Sequence, residues 1–97
     1  MRAVLQSDVV SVARVLLHHP ADEREALAAE LIRRADGADR YARRLGKCHP
    51  DWGNGTLLAA AHKAPLAPER AWNDPAFLHC LQCVLEALRQ HRLRADM

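Results

Sequence analysis

The sequence predicts an all-α fold, a compact bundle of about four helices with one of them long. Three observations lead there. The apolar residues are mostly Ala and Leu, with only 4% aromatics and few β-branched side chains, a mix that favours helix over strand. Apolar positions recur at spacings of three and four. Pro, Gly, Asn and Asp gather between these periodic runs, where turns and caps need them. At 97 residues the chain makes one domain, residues 1–97, with a modest core. At that size a second copy adds useful buried surface, so a homo-oligomer is expected.

The first helix should take Ser7 as its cap, with Asp8 in the first turn near the positive end of the helix dipole. It should run to about Leu17 and bury Val9, Val12, Ala13, Leu16 and Leu17. His18 and His19 fit a helix end that favours positive charge, and Pro20 blocks simple continuation.

The second helix should begin near Pro20, with Asp22, Glu23 and Glu25 in its first turns. Its apolar period runs through Leu27, Leu31, Ala35, Ala38, Ala42 and Leu45. Gly37 costs about 1 kcal/mol relative to Ala inside it, yet the period survives, so the helix should continue with some bending. Gly46 is the natural stop.

Residues 48–56, Cys-His-Pro-Asp-Trp-Gly-Asn-Gly-Thr, form a specified corner. Gly53 and Gly55 supply turns, and Trp52 carries a large apolar surface that needs a packed neighbour, so it should anchor the corner against the helices. A short third helix should open near Asn54 or Thr56 and reach about His62, followed by a Pro-containing connection. The fourth is capped by Asn73 or Asp74, has Pro75 in its first turn, and carries a stripe of Phe77/Leu78, Leu81, Val84/Leu85 and Leu88. With Asn73 as the cap, Trp72 and Phe77 would form a hydrophobic staple.

The sharpest functional pattern is basic. At about 100° per residue, Arg33, Arg40, Arg44 and Lys47 project into one arc of the second helix, with Arg43 beside them and the apolar residues opposite. Such a stripe can follow phosphates, binding salt-sensitively and without base specificity. Ordinary dipole complementarity and solubility are the stronger explanation, since cations favour a helix C-terminus and Asp36 and Asp39 lie nearby, and a protein-partner surface is a third reading. The net charge is only +2, so the case for nucleic acid rests on local pattern. No convincing helix-turn-helix is visible, which argues against sequence-specific recognition.

Other chemistry is weaker. Cys48 and His49 of the corner, with Cys80 and Cys83 of the fourth helix, would supply donors for a tetrahedral zinc ion, and a zinc-binding module is the alternative reading. The Cys-x-x-Cys spacing inside an amphipathic helix lacks the tight turn of a zinc knuckle, and free Cys is by default a small buried hydrophobe. No metal or cofactor is therefore expected. Asp51, His49 and Thr56 can be drawn as acid, base and nucleophile, but their spacing specifies no geometry, so no catalytic residue is assigned. Gly53-Asn54-Gly55 lacks the Lys-Ser or Lys-Thr of a phosphate loop and reads as a turn plus cap. Three cysteines without a secretory signal suggest reduced thiols, and the absence of a long apolar run leads to the expectation of a cytoplasmic protein that does not enter a membrane.

Three strings carry a family resemblance: Met1-Arg2-Ala3-Val4-Leu5 with Asp8-Val9-Val10 and Ala13-Arg14; Ala38-Asp39-Arg40-Tyr41 with Arg44 and Gly46; and His49-Pro50-Asp51-Trp52-Gly53-Asn54-Gly55-Thr56-Leu57. Together they resemble short alphaproteobacterial proteins, some from gene-transfer-agent clusters, and the chain looks like a small terminase subunit. The resemblance covers roughly the first two-thirds of the chain. It implies a non-enzymatic DNA-packaging factor that self-assembles, contacts double-stranded DNA nonspecifically and engages a large terminase subunit. Arg89, His91, Arg92 and Arg94 fit a C-terminal partner contact. A protein-only adaptor is a further alternative.

Overall fold

The computed structural model describes residues 1–95. These form four helices: α1 (Gln6–Leu16), α2 (Ala21–Leu45), α3 (Leu57–Ala61) and α4 (Pro75–Ala95). The expected all-α bundle with one long helix is what the chain adopts. Among the described residues the only β pairing is an isolated bridge between His49 and Gly53. No helix among them is long and apolar enough to cross a membrane.

Side-chain contacts give the helix directions. Arg24 near the start of α2 meets the end of α1, while Met1 reaches Asp36 and Asp39 farther along α2, so α1 and α2 are antiparallel. Asp8 meets Leu58 and Ser11 meets His62, so α3 runs with α1. Arg24 meets His79 and Asp36 meets His91, so α4 runs with α2. The chain therefore travels up, down, up and down, with α1 and α2 packing against both later helices. Their shared core holds Val12, Leu16, Leu31, Ile32, Leu57, Phe77 and Val84.

Polar side chains fix the helix ends. The cap of α1 is Leu5, not Ser7, because Asp8 turns back: its Oδ2 accepts the Leu5 N–H at 2.7 Å. Its Oδ1 accepts the Leu58 N–H at 2.8 Å, so one buried carboxylate serves the first turns of both α1 and α3. Thr56 caps α3, with its Oγ1 accepting the Ala59 N–H, and Asn54 Oδ1 in turn accepts the Thr56 hydroxyl and N–H. Asp74 caps α4, its Oδ1 accepting from Ala76 and Phe77.

The expected Trp72–Phe77 staple required Asn73 as the cap. Instead Phe77 is fully buried, while Trp72 is half exposed and borders a shallow groove with Leu78, Leu81 and Leu85. The α4 stripe is correspondingly split. Phe77, Cys80, Leu81, Val84 and Ala87 face inward, and Leu78 and Leu85 face out.

Arg24 closes the far end. Its Nε donates to the carbonyls of Leu16 and His19 at the end of α1, adding to the His19 N–H that Leu16 already accepts, and its Nη1 donates to His79 Nδ1 at 3.0 Å. Because a guanidinium can only donate, His79 Nδ1 accepts and the ring proton sits on Nε2, 3.7 Å from Cys83 Sγ.

Candidate nucleic-acid interface

Gly46 ends α2 in the left-handed conformation, and the chain folds back on itself. His49 and Gly53 exchange two backbone hydrogen bonds, at 2.9 and 3.1 Å, closing a tight turn over Pro50, Asp51 and Trp52. His49 Nδ1 accepts the backbone N–H groups of Asp51 and Trp52 at 3.0 and 3.1 Å. That leaves the ring proton on Nε2 and locks the imidazole in plane. Trp52 stacks on it, with ring centroids 4.5 Å apart and planes 9° from parallel, and Tyr41 meets the same imidazole edge-on.

Trp52 meets α2 at a place the periodicity did not indicate. The benzene edge of its indole rests on Gly37, where an added Cβ would lie 3.0 Å from the ring. Gly37 belongs to the same arc as Arg33, Arg40 and Arg44. The basic stripe is thus not an open cationic face, because an aromatic ring lies across its middle. The result is a mixed surface: a depression of about 390 Å³ bordered by Gly37, Arg40, Tyr41, Arg44, His49 and Trp52.

The charges on this face are unequal. Arg33 pairs with Glu30 at 2.6 Å, Arg40 with Asp36 at 3.4 Å and Arg43 with Asp39 at 3.0 Å. Arg44 and Lys47 have no ion pair among the described residues, and both are exposed. The Arg33 and Arg34 guanidiniums hold the Glu30 carboxyl below its ordinary range, with Arg33 the stronger influence. Local carboxylates therefore offset much of the stripe, and its uncompensated charge remains at Arg44 and Lys47, of which Arg44 borders the same depression as Trp52.

Behind this face the corner is pinned by backbone contact. Gly55 has φ +99° and lies so close to α2 that an added Cβ would stand 2.8 Å from the Asp39 Cα. Its carbonyl accepts the Arg2 N–H at 3.0 Å. The Met1 ammonium sits between Asp36 and Asp39, so the buried Asp39 carboxylate shares the amine with Asp36 and also takes Arg43. The amine's hydrogen bond, reinforced by its charge and those of Arg40 and His91, pulls the Asp36 carboxyl below its usual range against the opposing effect of burial.

The zinc alternative is not supported by this geometry. Cys80 and Cys83 are taken into the core, Cys48 is exposed, and among the described residues no three His, Cys, Asp or Glu side chains are grouped to hold a metal. Burial pushes both core thiols up, which keeps them protonated. The drawn acid–base–nucleophile set is likewise occupied with structure: His49 Nδ1 closes the turn, and Thr56 Oγ1 caps α3.

A family model described as Domain of unknown function (DUF7742) matches residues 2–88. No curated protein and no solved structure matches the chain.

Proposed function

We propose that the chain, which belongs to the DUF7742 family, is a non-enzymatic DNA-packaging adaptor of the small-terminase kind, working in the cytoplasm. Its nucleic-acid face is the C-terminal half of α2 with the turn folded over it. The observation that carries this reading is the juxtaposition of the exposed Arg40 and Arg44, the latter without an ion pair among the described residues, with a rigidly held, part-exposed tryptophan. Cations on a rigid helix suit a phosphate backbone, and nothing in the arrangement suits sequence readout. Double-stranded DNA would therefore be held nonspecifically.

A second surface serves protein contacts. Trp72, Leu78 and Leu85 are each about half exposed on the outer side of α4, and we assign this strip to a second copy of the chain. The strip is flanked by an Arg70–Asp74 pair at one end and a Glu86–Arg89 pair at the other. Two copies packed antiparallel would set Arg89 against Asp74 and Arg70 against Glu86, a self-complementary pattern. The resemblance supplies the remaining partner, a large terminase subunit.

The nucleic-acid role is tested by converting Arg44 and Lys47 to Glu. Neither residue pairs with a carboxylate among the described residues, so helicity should be retained on their reversal. Salt-sensitive retention of duplex DNA should be lost in R44E/K47E. Unchanged retention would remove this face from the reading.

A further inference from the structure

We infer that this face takes unpaired nucleotides in preference to duplex, with Trp52 stacking on a base of a single-stranded polynucleotide while Arg40, Arg44 and Lys47 hold the adjoining phosphates. The inference rests on the reading that the α2 face meets nucleic acid, and goes beyond it in naming the form of the ligand. Trp52 is 37% exposed, yet it is not loosely placed. One face of the indole is covered by the His49 imidazole, which two backbone N–H groups hold in orientation, and its edge is seated on Gly37. A part-exposed aromatic fixed on one face and one edge is a preorganised stacking platform, and little rotamer freedom is lost when a base lands on it.

The setting selects against duplex. The indole borders a depression between α2 and the turn, together with Tyr41, Arg40 and Arg44. At about 390 Å³ this space is at the small end of ligand sites and suits a single planar ring. Base pairs in a duplex are stacked on one another and present only their edges, so they cannot offer a face to the indole. A single strand offers every base face, and the phosphates that follow a stacked base would run toward Arg40 and Arg44, which border the same depression and succeed Gly37 along α2. Stacking of this kind tolerates any base, in keeping with a face that carries no readout code.

Fluorescence reads the contact directly. The chain has two tryptophans, so Trp72→Phe leaves Trp52 as the sole indole reporter. Titration with oligothymidylate, which forms no duplex, should quench Trp52 emission and give affinity about tenfold above that for a duplex of equal length. Trp52→Ala should erase the preference for the single strand while leaving salt-sensitive binding of both forms. Should that variant lose its helical circular dichroism, Trp52→Phe is the second reporter, keeping a smaller platform and a reduced preference. Equal binding of both nucleic acids without quenching would overturn the stacking inference and leave the α2 face standing. Absence of binding to either would overturn both.

Discussion

Gly37 and Gly55 show how a missing side chain positions a site. In sequence Gly37 is a weak point in a helix; in the fold it is the seat of the Trp52 ring. The clue was present, since a glycine in the interior of a strongly periodic helix marks a close approach, but which residue approaches depends on the fold of the turn after Gly46. Gly55 makes the sharper case. Any side chain there would combine a positive φ with a collision against the α2 backbone at Asp39. Gly55→Ala should cost about 2–5 kcal/mol from backbone strain and overpacking together, read as a lowered midpoint in chemical denaturation. A cost under about 1 kcal/mol would mean the corner is not pinned as described. Asp8 was legible as a first-turn acid and not as a double cap, because its second partner, Leu58, comes from a helix fifty residues away.

Elements were read from sequence best where one local signal marks them. The Gly46 stop, the Asp74–Pro75 start and the continuity of α2 through Gly37 follow from caps and period, and the structure has all three. The split of α4 was not legible. Phe77 and Leu78, or Val84 and Leu85, are equally apolar neighbours, and only packing against α1 and α2 decides which member turns inward. Cys80 and Cys83 complete the inner row as small hydrophobes, leaving Leu78 and Leu85 outside. That outer row makes a prediction at the scale of the element. Leu85→Glu removes apolar surface that this fold leaves uncovered, so the thermal midpoint of the monomer should move little while concentration-dependent association in sedimentation velocity is lost. Association unchanged by Leu85→Glu would remove the α4 strip as the contact between copies.

At the scale of the whole molecule, one acidic pair ties together the N-terminus, α2 and α4. Asp36 meets the Met1 ammonium, Arg40 and His91, and Asp39 meets the same ammonium and Arg43. Because the folded state holds the Asp36 carboxyl below its unfolded value, the stabilisation is fully present above that unfolded value, about 3.9, and is lost as pH falls through the lower folded one. Thermal stability should therefore be nearly level from about pH 7 to pH 5 and fall below about pH 4. Asp36→Asn should lower the midpoint at neutral pH and make the acid decline shallower, whereas an acid decline of unchanged steepness would show that this pair is not its source.

The same pairing decides where charge remains for a partner. Seen in sequence, the arginines of α2 form one continuous stripe; in the fold, carboxylates offset Arg33, Arg40 and Arg43 and leave Arg44 bordering the same depression as Trp52, with Lys47 beyond it. The central claim is that nucleic acid meets the molecule there. The most direct measurement is a titration of isotope-labelled protein with DNA, followed by amide and indole N–H chemical shifts. The shifts should concentrate on Gly37, Arg40, Arg44, Lys47 and the Trp52 indole and diminish with added salt. Shifts confined to the arginines at the end of α4, or no shifts at all, would contradict it.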